Sequence, residues 1–231
     1  MDAPTQPRQF LRSRGMKIPK HPDITTGRVR GALREGLYER KECDAVMKVV
    51  QQGDVVLELG AGIGYMSTLI ATKNPVEHIH AFEANPGLIP YIRSVHEAND
   101  VTNVTVHNAL LAPEDGAPAD FFVRKNFLAS SLNRESGPDS IVSVEKVEMR
   151  SLPKTLAELR PTVLVCDIEG AEADLLACAD WSGLRAAVIE LHPQWIGQAG
   201  VQSVFDTMHK AGLTYFPKAS EAKVVTFRKG W

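Results

Sequence analysis

The stretch that decides the fold is residues 55–65, which reads VVLELGAGIGY. Its first half is almost wholly apolar, which is typical of a strand covered on both faces of a parallel sheet. Its second half carries glycines at alternate positions, Gly60, Gly62 and Gly64, and Glu58 stands two residues before the first of them. We therefore predict a buried strand, a glycine-rich turn and a ligand that lies against the backbone of that turn.

Strand and helix patterns alternate along most of the chain. Strands are predicted at VVLEL, HIHAFEA, VTVHNAL, TVLVCDI and AAVIELH, and segments with helical spacing of apolar residues lie between them. This alternation predicts a mostly parallel sheet with right-handed crossovers and helices on both faces. LTYF and KVVTF close the chain as strands that should pair antiparallel. The predicted fold class is α/β, with an antiparallel C-terminal strand.

Length and composition fit one domain preceded by a basic segment. The 231 residues are 44% hydrophobic, enough for a sizeable core. Residues 1–41 hold ten Lys and Arg against four Asp and Glu, a net charge of +6, which leaves −8 on the remainder. We interpret residues 1–35 as a basic, extended N-terminal arm with at most one helical turn, and residues 36–231 as one domain. The arm either binds an anionic partner or lies solvated on the acidic body.

Composition also bears on compartment and partners. The net charge of −2 gives no argument for nucleic acid or membrane, and no apolar run approaches the roughly 18 residues that span a bilayer. The N-terminus lacks the apolar region of a secretory signal. Cys43, Cys166 and Cys178 show no metal-binding or redox spacing, which indicates reduced thiols. These observations predict a cytoplasmic protein.

The glycine spacing distinguishes two classes of cofactor. Dinucleotide sites favour G-x-G-x-x-G, whereas this turn reads G-x-G-x-G, and the charge of Glu58 would repel a pyrophosphate. S-adenosylmethionine carries an ammonium and a sulfonium group and no phosphate, so a carboxylate favours it. Glu83 follows one strand-helix-strand step later, where it can bind the ribose hydroxyls. The pattern favours S-adenosylmethionine over NAD, with an ordinary strand-to-helix turn as the remaining alternative.

Several motifs together resemble the FkbM family of methyltransferases. They are GLYER, VVLELGAGIGYMS, HAFEANP, VTVHNALL, ASSL, VLVCDIEGAEADLL and VIELHP, and they span about residues 36–192. The resemblance implies a Rossmann-like class I methyltransferase fold, S-adenosylmethionine as donor with S-adenosylhomocysteine as product, and O-methylation of sugars, polyketides or similar metabolites. Glu58 and Ile63 depart from the Asp and Asn that are commoner in the family, and SLPKTL replaces its usual Thr-Leu-Asp.

The same resemblance, with the strand-end rule, implies a donor site assembled from several segments. Its predicted members are Tyr38, Glu39, Glu58, Gly60, Ala61, Gly62, Gly64, Tyr65, Glu83, Ala84, Asn85, Asn108, Ala109, Ser131 and Asp167. Ser130 stands beside Ser131 in the matching Ser-Ser pair. The resemblance calls for no metal.

Candidate catalytic residues follow the later strands. Asp167 ends a buried strand over the expected donor site, and we predict that it orients or deprotonates the acceptor. Glu169 fits either catalysis or the start of a helix, where a carboxylate is favourable. His192, which ends VIELH, and the nearby Glu190 are further candidates for binding or base chemistry. Asp167, Glu169 and His192 are types that could hold a divalent metal, although we expect none.

The irregular stretch 112–142 is long for a connection, and we predict an insertion or lid there. Within it, residues 127–134 would cover the acceptor, and Arg124 and Arg134 would meet an anionic group. A solvated loop is the plain alternative.

The sequence thus predicts an O-methyltransferase that acts on a hydroxyl or carboxyl of a small biosynthetic metabolite or glycan. Its expected partner is a small-molecule acceptor, anionic or a sugar, with neither nucleic acid nor membrane. Nucleic acid is disfavoured because Phe10 and Tyr38 are the only aromatic residues in 1–41 that could stack on bases. The alternatives are a non-catalytic S-adenosylmethionine-binding or assembly protein and an N-methyltransferase. The last two strands leave a homo-oligomer open.

Overall fold

The structure is a computed structural model that describes residues 9–125, 130, 134 and 137–230. Strands and helices alternate along these residues. In chain order they are β1 (Phe10–Ser13), β2 (Met16–Pro19), α1 (Gly27–Glu35), α2 (Arg40–Val49), β3 (Val55–Leu59), α3 (Tyr65–Lys73), β4 (His78–Phe82), α4 (Ile89–Ala98), β5 (Val104–His107), β6 (Ala109–Ala112), β7 (Gly116–Arg124), β8 (Ile141–Ser151), α5 (Leu152–Leu159), β9 (Val163–Cys166), α6 (Glu172–Ala177), β10 (Ala186–Glu190), α7 (Pro193–Lys210), β11 (Thr214–Tyr215) and β12 (Val224–Arg228).

The central sheet has seven strands in the order β11-β12-β10-β9-β3-β4-β5. Strands β5, β4, β3, β9 and β10 are parallel, and β12 runs antiparallel to both β10 and β11. This topology confirms the predicted α/β fold and its antiparallel C-terminal strand. The chain proceeds outward from β3 to β4 and β5, then returns to β9 on the other side of β3. Ligands bind at such a switch point, beyond the carboxyl ends of the strands.

The core lies on both faces of this sheet, as the almost wholly apolar strands predict. Val56 belongs to the apolar cluster that packs under α1 to α4. Leu57 and Leu59 belong to a second cluster, under α5 to α7. Because successive strand residues point to opposite faces, a covered sheet requires apolar residues at every position. β3 is therefore held rigidly, and so is the turn that follows it.

The segment predicted as an extended N-terminal arm is folded, so that interpretation is wrong for residues 10–35. They form the β1-β2 hairpin and the nine-residue helix α1. Leu11 is 3% exposed and Leu33 is 0% exposed, and both belong to the cluster under α1 to α4. The hydroxyls of Ser13 and Tyr65 lie 2.7 Å apart and tie the hairpin to α3. The two short strands read FLRS and MKIP and lie among Pro, Gly and Arg residues, which gives a weak strand signal in the sequence.

A small second sheet occupies part of the stretch predicted as an insertion or lid. Its three strands have the order β6-β8-β7. Most of the predicted cover, residues 127–134, lies outside the described residues, apart from Ser130 and Arg134. Arg134 is exposed, whereas Arg124 is 3% exposed and donates to the Phe122 carbonyl at 3.2 Å. The side chain of Arg124 is thus buried and does not face an acceptor as predicted.

Helix α7 is broken near its start. Gly197 has φ 65° and ψ −176°, which is not a helical conformation, so residues 193–196 form a separate first turn. Within the described part of the chain, no helix is both long and apolar enough to cross a membrane.

Leu33→Ala tests whether α1 belongs to the folded core. Leu33 is 0% exposed, and deleting such a side chain leaves a cavity, which lowers the free energy of unfolding by about 2–5 kcal/mol. Leu37→Ala is the matched control, because Leu37 is 53% exposed. Urea denaturation gives both values. Equal losses in the two variants would mean that α1 does not contribute to the core.

Candidate active site

The three glycines after β3 serve different purposes. A Cβ at Gly60 would lie 1.8 Å from the Asp167 carbonyl oxygen, so only glycine allows β3 and β9 to end in contact. A Cβ at Gly64 would lie 2.8 Å from the Ile92 side chain, which is a packing restriction. A Cβ at Gly62 would meet no atom within 4 Å. Of the three positions, Gly62 is therefore the one that leaves open space for a ligand.

Glu58 places a buried carboxyl group next to this turn. It is 2% exposed, and its Oε1 accepts the Ser67 backbone N–H at 3.1 Å. Its Oε2 has no hydrogen-bond partner among the described residues. Burial raises the pKa of Glu58 to about 8, against the hydrogen bonds from Ser67, and the charge of Glu83 adds to the increase. A buried oxygen without a partner is costly, so this group fits a bound cation.

Glu83 links the end of β4 to the glycine turn. Its Oε2 accepts the Gly62 N–H at 2.8 Å and its Oε1 accepts the Asn85 N–H at 2.7 Å. Burial raises its pKa to about 7 in spite of these hydrogen bonds. Each oxygen keeps a second lone pair, which suits the two hydroxyls of a ribose. The amide of Asn108 donates to the carbonyls of Glu83 and Ala84 at 2.9 and 3.1 Å, so it braces the loop.

Two predicted donor contacts are core residues. Tyr65 is fully buried, its hydroxyl bonds that of Ser13, and its ring meets that of Tyr38 edge-on with centroids 5.1 Å apart. Tyr38 is 8% exposed, and burial raises the pKa of its hydroxyl well above the usual value. These rings support the start of α3.

The remaining predicted donor residues divide between the cleft and the core. Glu39 lines the cleft together with Glu42, and burial, then the charges of Glu42 and Glu58, raise the pKa of Glu39 to about 8. The side chains of Ala61 and Ala109 are buried in the apolar clusters. Ser131 lies outside the described residues.

The three predicted catalytic residues come together beyond the ends of β9 and β10. His192 is 2% exposed, and its Nε2 lies 3.3 Å from Glu169 Oε2 and 3.7 Å from Asp167 Oδ1. Its Nδ1 lies 2.7 Å from Oε1 of Glu172, which is itself 0% exposed. Asp167 Oδ1 is buried without a hydrogen-bond partner among the described residues.

This cluster is arranged to hold and exchange a proton. An ionised Glu172 only accepts hydrogen bonds, so Nδ1 of His192 donates to it and Nε2 faces Asp167 and Glu169. Burial lowers the pKa of His192, but the hydrogen bond to Glu172 and the nearby carboxylate charges outweigh burial, and the pKa is raised. Burial, then the charges of Glu190 and other carboxylates, raise the pKa of Asp167 well above its usual range.

Sequence reasoning missed Glu172 and Glu42. Glu172 is the third acid of DIEGAE and the first residue of α6, where a carboxylate is favourable for the helix alone. Its partner His192 is 20 residues away, and the packing of α6 against α7, which His192 precedes, brings the two together. Glu42 lies on the helix after Glu39 and gave no sequence signal apart from its charge.

Oxygen and nitrogen atoms of Asp167, Glu190 and His192 lie within 4.8 Å of one another, close enough to hold a metal ion. Lys223 Nζ, however, already lies 2.7 Å from Glu190 Oε1 and neutralises part of this charge. The set therefore does not require a metal, in keeping with the prediction of none.

Comparison with known proteins tests these interpretations. Residues 36–112 match the family model of the TRM5/TYW2 methyltransferase domain. Methyltransferase 1 of Beauveria bassiana (strain ARSEF 2860) is 27% identical, over 59% of this chain and 64% of that protein.

Solved structures share the fold. TYW2 of M. jannaschii in complex with AdoMet aligns with TM-score 0.51 and 13% identity, over 96% of this chain and 87% of that one. Trm5b of Pyrococcus abyssi aligns with TM-score 0.50 and 14% identity, over 96% of this chain and 55% of that one.

The chain has the Rossmann-like, mostly parallel α/β fold of these methyltransferase structures, and its residues 36–112 match a methyltransferase family that uses S-adenosylmethionine. Its glycine turn, its unpartnered Glu58 oxygen and its Glu83 carboxylate all fit that donor, and all lie in the matched segment. The chain spans less than two thirds of the length of Methyltransferase 1 and of Trm5b. The matching family model is TRM5/TYW2, whereas the FkbM type is not shown.

The match also overturns the expected partners of the methyltransferase domain. Members of the TRM5/TYW2 family act on tRNA, so the prediction of a small-molecule acceptor and no nucleic acid is wrong. The prediction relied on the net charge of −2, and this whole-chain sum conceals the net charge of +6 on residues 1–41. Association with an anionic partner depends on local potential.

Gly62→Ala separates a role in donor binding from a role in folding. Both Gly62 and Gly53 have positive φ and open space at the Cβ position, so alanine at either costs about 1 kcal/mol of stability. Because Gly62 alone adjoins Glu83, Gly62→Ala should also weaken S-adenosylhomocysteine binding at least about 10-fold in calorimetric titration. Equal donor affinity in Gly62→Ala and Gly53→Ala would contradict this assignment.

Donor affinity should depend on pH through Glu58. Its pKa of about 8 means that the free protein binds a proton which a cationic ligand must expel. Affinity for S-adenosylmethionine should therefore rise between about pH 6 and 7.5, where the ligand's own amino group stays protonated. Calorimetry in two buffers of different ionisation enthalpy measures the released protons. Glu58→Gln should reduce that number, and an unchanged number would remove Glu58 from donor binding.

Proposed function

We propose that this protein transfers the methyl group of S-adenosylmethionine to a nucleoside of tRNA. The observation that carries the proposal is the TRM5/TYW2 match over residues 36–112, since that family acts on tRNA. The matched segment contains the donor half of the site, with Glu58, Gly62 and Glu83. The acceptor half, formed by Asp167 and His192, lies against it at the ends of β9 and β10.

The donor half suits a cation. Carboxylates line one cleft, and they belong to Glu39, Glu42, Glu58, Asp167 and Glu190. Together they make a negative potential that favours a positively charged ligand and disfavours a pyrophosphate. When bound, S-adenosylmethionine supplies an electrophilic methyl group on a positively charged sulfur. The product has lost the sulfonium charge, so the same carboxylates hold it less strongly and favour its release.

The acceptor half suits removal of a proton from the atom that receives the methyl. The buried, unpartnered Oδ1 of Asp167 accepts a hydrogen bond from an acceptor N–H or O–H group. As the new bond to carbon forms, that proton leaves and passes to Nε2 of His192, 3.7 Å from Asp167 Oδ1. Glu172 fixes the tautomer of His192 and stabilises the imidazolium. The remaining contribution to catalysis is the alignment of donor and acceptor.

The N-terminal elements offer cations for an RNA backbone. Arg12, Lys20, Arg28 and Arg34 are exposed on or beside the hairpin and α1. Such side chains position an RNA through its phosphates without reading its bases. Arg14, in contrast, is paired with Asp44 at 2.8 Å.

A second candidate concerns the atom that is methylated. The DIEGAE segment of the FkbM resemblance lies beyond residue 112, outside the matched family segment. Glu172, in that segment, makes His192 more basic, which helps to deprotonate a hydroxyl. FkbM-type O-methylation of a ribose hydroxyl is therefore the alternative to methylation of a nucleobase. We also propose a cytoplasmic location, which the free cysteines Cys43, Cys166 and Cys178 support.

The decisive experiment incubates the protein with methyl-labelled S-adenosylmethionine and unmodified tRNA, then analyses the digested nucleosides by mass spectrometry. One nucleoside should gain the label, and its fragmentation assigns the methyl to base or ribose. Titration with S-adenosylmethionine, S-adenosylhomocysteine and NAD, with Glu83→Ala as control, reports the donor site separately. If the protein binds the donor but transfers no methyl group to any RNA, the proposal is wrong and the non-catalytic binding protein is the better interpretation.

Asp167→Asn should lower kcat about 10²- to 10⁴-fold, because it removes the carboxylate that accepts the acceptor's hydrogen bond and orients its proton for transfer to His192. Glu172→Gln should lower the pKa of His192, so the acidic limb of the pH–rate profile should move to lower pH. Asp174→Asn, on the exposed face of the same helix α6, is the matched control. An unmoved profile in Glu172→Gln would mean that His192 does not hold the transferred proton.

A further inference from the structure

Trp195 exposes an aromatic ring beside the acceptor half of the site. It is 61% exposed, more than any other large apolar side chain among the described residues. Trp181 is 2% exposed, as is usual for a tryptophan of the core. Leaving so much apolar surface in water is unfavourable, so the position of Trp195 invites a functional explanation.

Contacts place Trp195 on the loop that carries Asp167 and Glu169. Its N–H donates to the His192 carbonyl at 2.8 Å. The Cβ position of Gly170 lies 2.8 Å from Cβ and 3.1 Å from Cδ1 of Trp195. Trp195 therefore packs directly on the backbone of residue 170, next to Glu169, which itself contacts His192. Any side chain at residue 170 would displace the indole.

The Trp195 ring lies next to the break in α7. Because Gly197 is not helical, residues 193–196 form a separate turn. Backbone hydrogen bonds to the His192 carbonyl hold this turn in place. Gln194 and Gln198 on either side of the break are exposed as well. The apolar surface is thus about one ring wide with polar neighbours, much smaller than a protein interface requires.

We propose that Trp195 is a stacking platform for the nucleobase of the methylated nucleotide, and this inference rests on the proposed function. A base that leaves its stack to reach an active site gains a new stacking partner on an aromatic side chain. Glu169, 51% exposed at the same rim, repels a phosphate but not an uncharged base. The ligand class at Trp195 is therefore a planar base, and the RNA phosphates lie elsewhere.

The first test measures tRNA methylation by Trp195→Leu and Trp195→Phe. Loss of the platform should lower kcat/KM for tRNA about 10- to 100-fold in Trp195→Leu, mainly through KM, whereas Trp195→Phe should recover most of it. Affinity for S-adenosylhomocysteine should be unchanged in both, which also shows that the variants fold. Tyr215→Leu is the control, since Tyr215 is 40% exposed on β11, at the edge of the central sheet. Wild-type KM in Trp195→Leu would overturn the proposal.

The second test does not need activity. Guanosine and adenosine monophosphates, added with saturating S-adenosylhomocysteine, should quench tryptophan emission in the wild type and not in Trp195→Phe. If the nucleotides quench the wild type but not Trp195→Phe, and the protein methylates no RNA, the platform is supported and the tRNA proposal is wrong. If the protein methylates tRNA, but the nucleotides cause no quenching and Trp195→Leu keeps the wild-type KM, the tRNA proposal is supported and the platform is wrong.

Discussion

The contact between Gly60 and the Asp167 carbonyl is the constraint on which the site depends. A single added carbon at Gly60 would lie 1.8 Å from that oxygen, so β3 and β9 can end side by side only because residue 60 has no side chain. The Asp167 N–H donates to the Leu59 carbonyl at 2.9 Å, and the Gly60 N–H donates to the Phe82 carbonyl at 3.0 Å. Three strand ends are thereby joined at one point. The glycine turn and the Asp167 carboxylate, to which we assign the donor and the acceptor, are consequently placed by the same backbone contacts.

The charges gathered at this point are unfavourable without a ligand. Burial raises the pKa of Glu39 and of Glu58 to about 8 and that of Glu83 to about 7, so each side chain resists ionisation. A folded state that raises the pKa of a carboxyl loses stability as pH rises from the unfolded pKa through the folded one. For Glu58 that window extends from about pH 4.5 to about 8. A cation bound in the cleft favours the ionised carboxylates. These side chains therefore lower the stability of the free protein and increase its affinity for the donor.

The sequence predicts that Glu58, Gly62 and Glu83 lie together because their segments are close in the chain. Strand β3, the glycine turn and Glu83 lie within one strand-helix-strand unit, and the parallel rule brings their ends together. The rest depends on packing between distant segments. Glu172 meets His192 because α6 packs against α7, which His192 precedes, and the exposed Trp195 lies in the turn before the break at Gly197. The fold of residues 10–35 escaped prediction because its short strands lie among Pro, Gly and Arg residues, and the whole-chain net charge does not report the local potential of this segment.

An acidic cleft and an anionic substrate are compatible when the two charges stay apart. Carboxylates line the donor cleft and the rim at Glu169, whereas the exposed cations Arg12 and Arg28 belong to the N-terminal elements. An RNA can be held through its phosphates at one surface while an uncharged base enters another, since base and phosphate are separated by the sugar. Negative charge at the reaction centre then keeps phosphates out and binds the cationic donor. The separation of basic and acidic surfaces, which the whole-chain charge conceals, would allow the protein to bind both substrates of the proposed reaction.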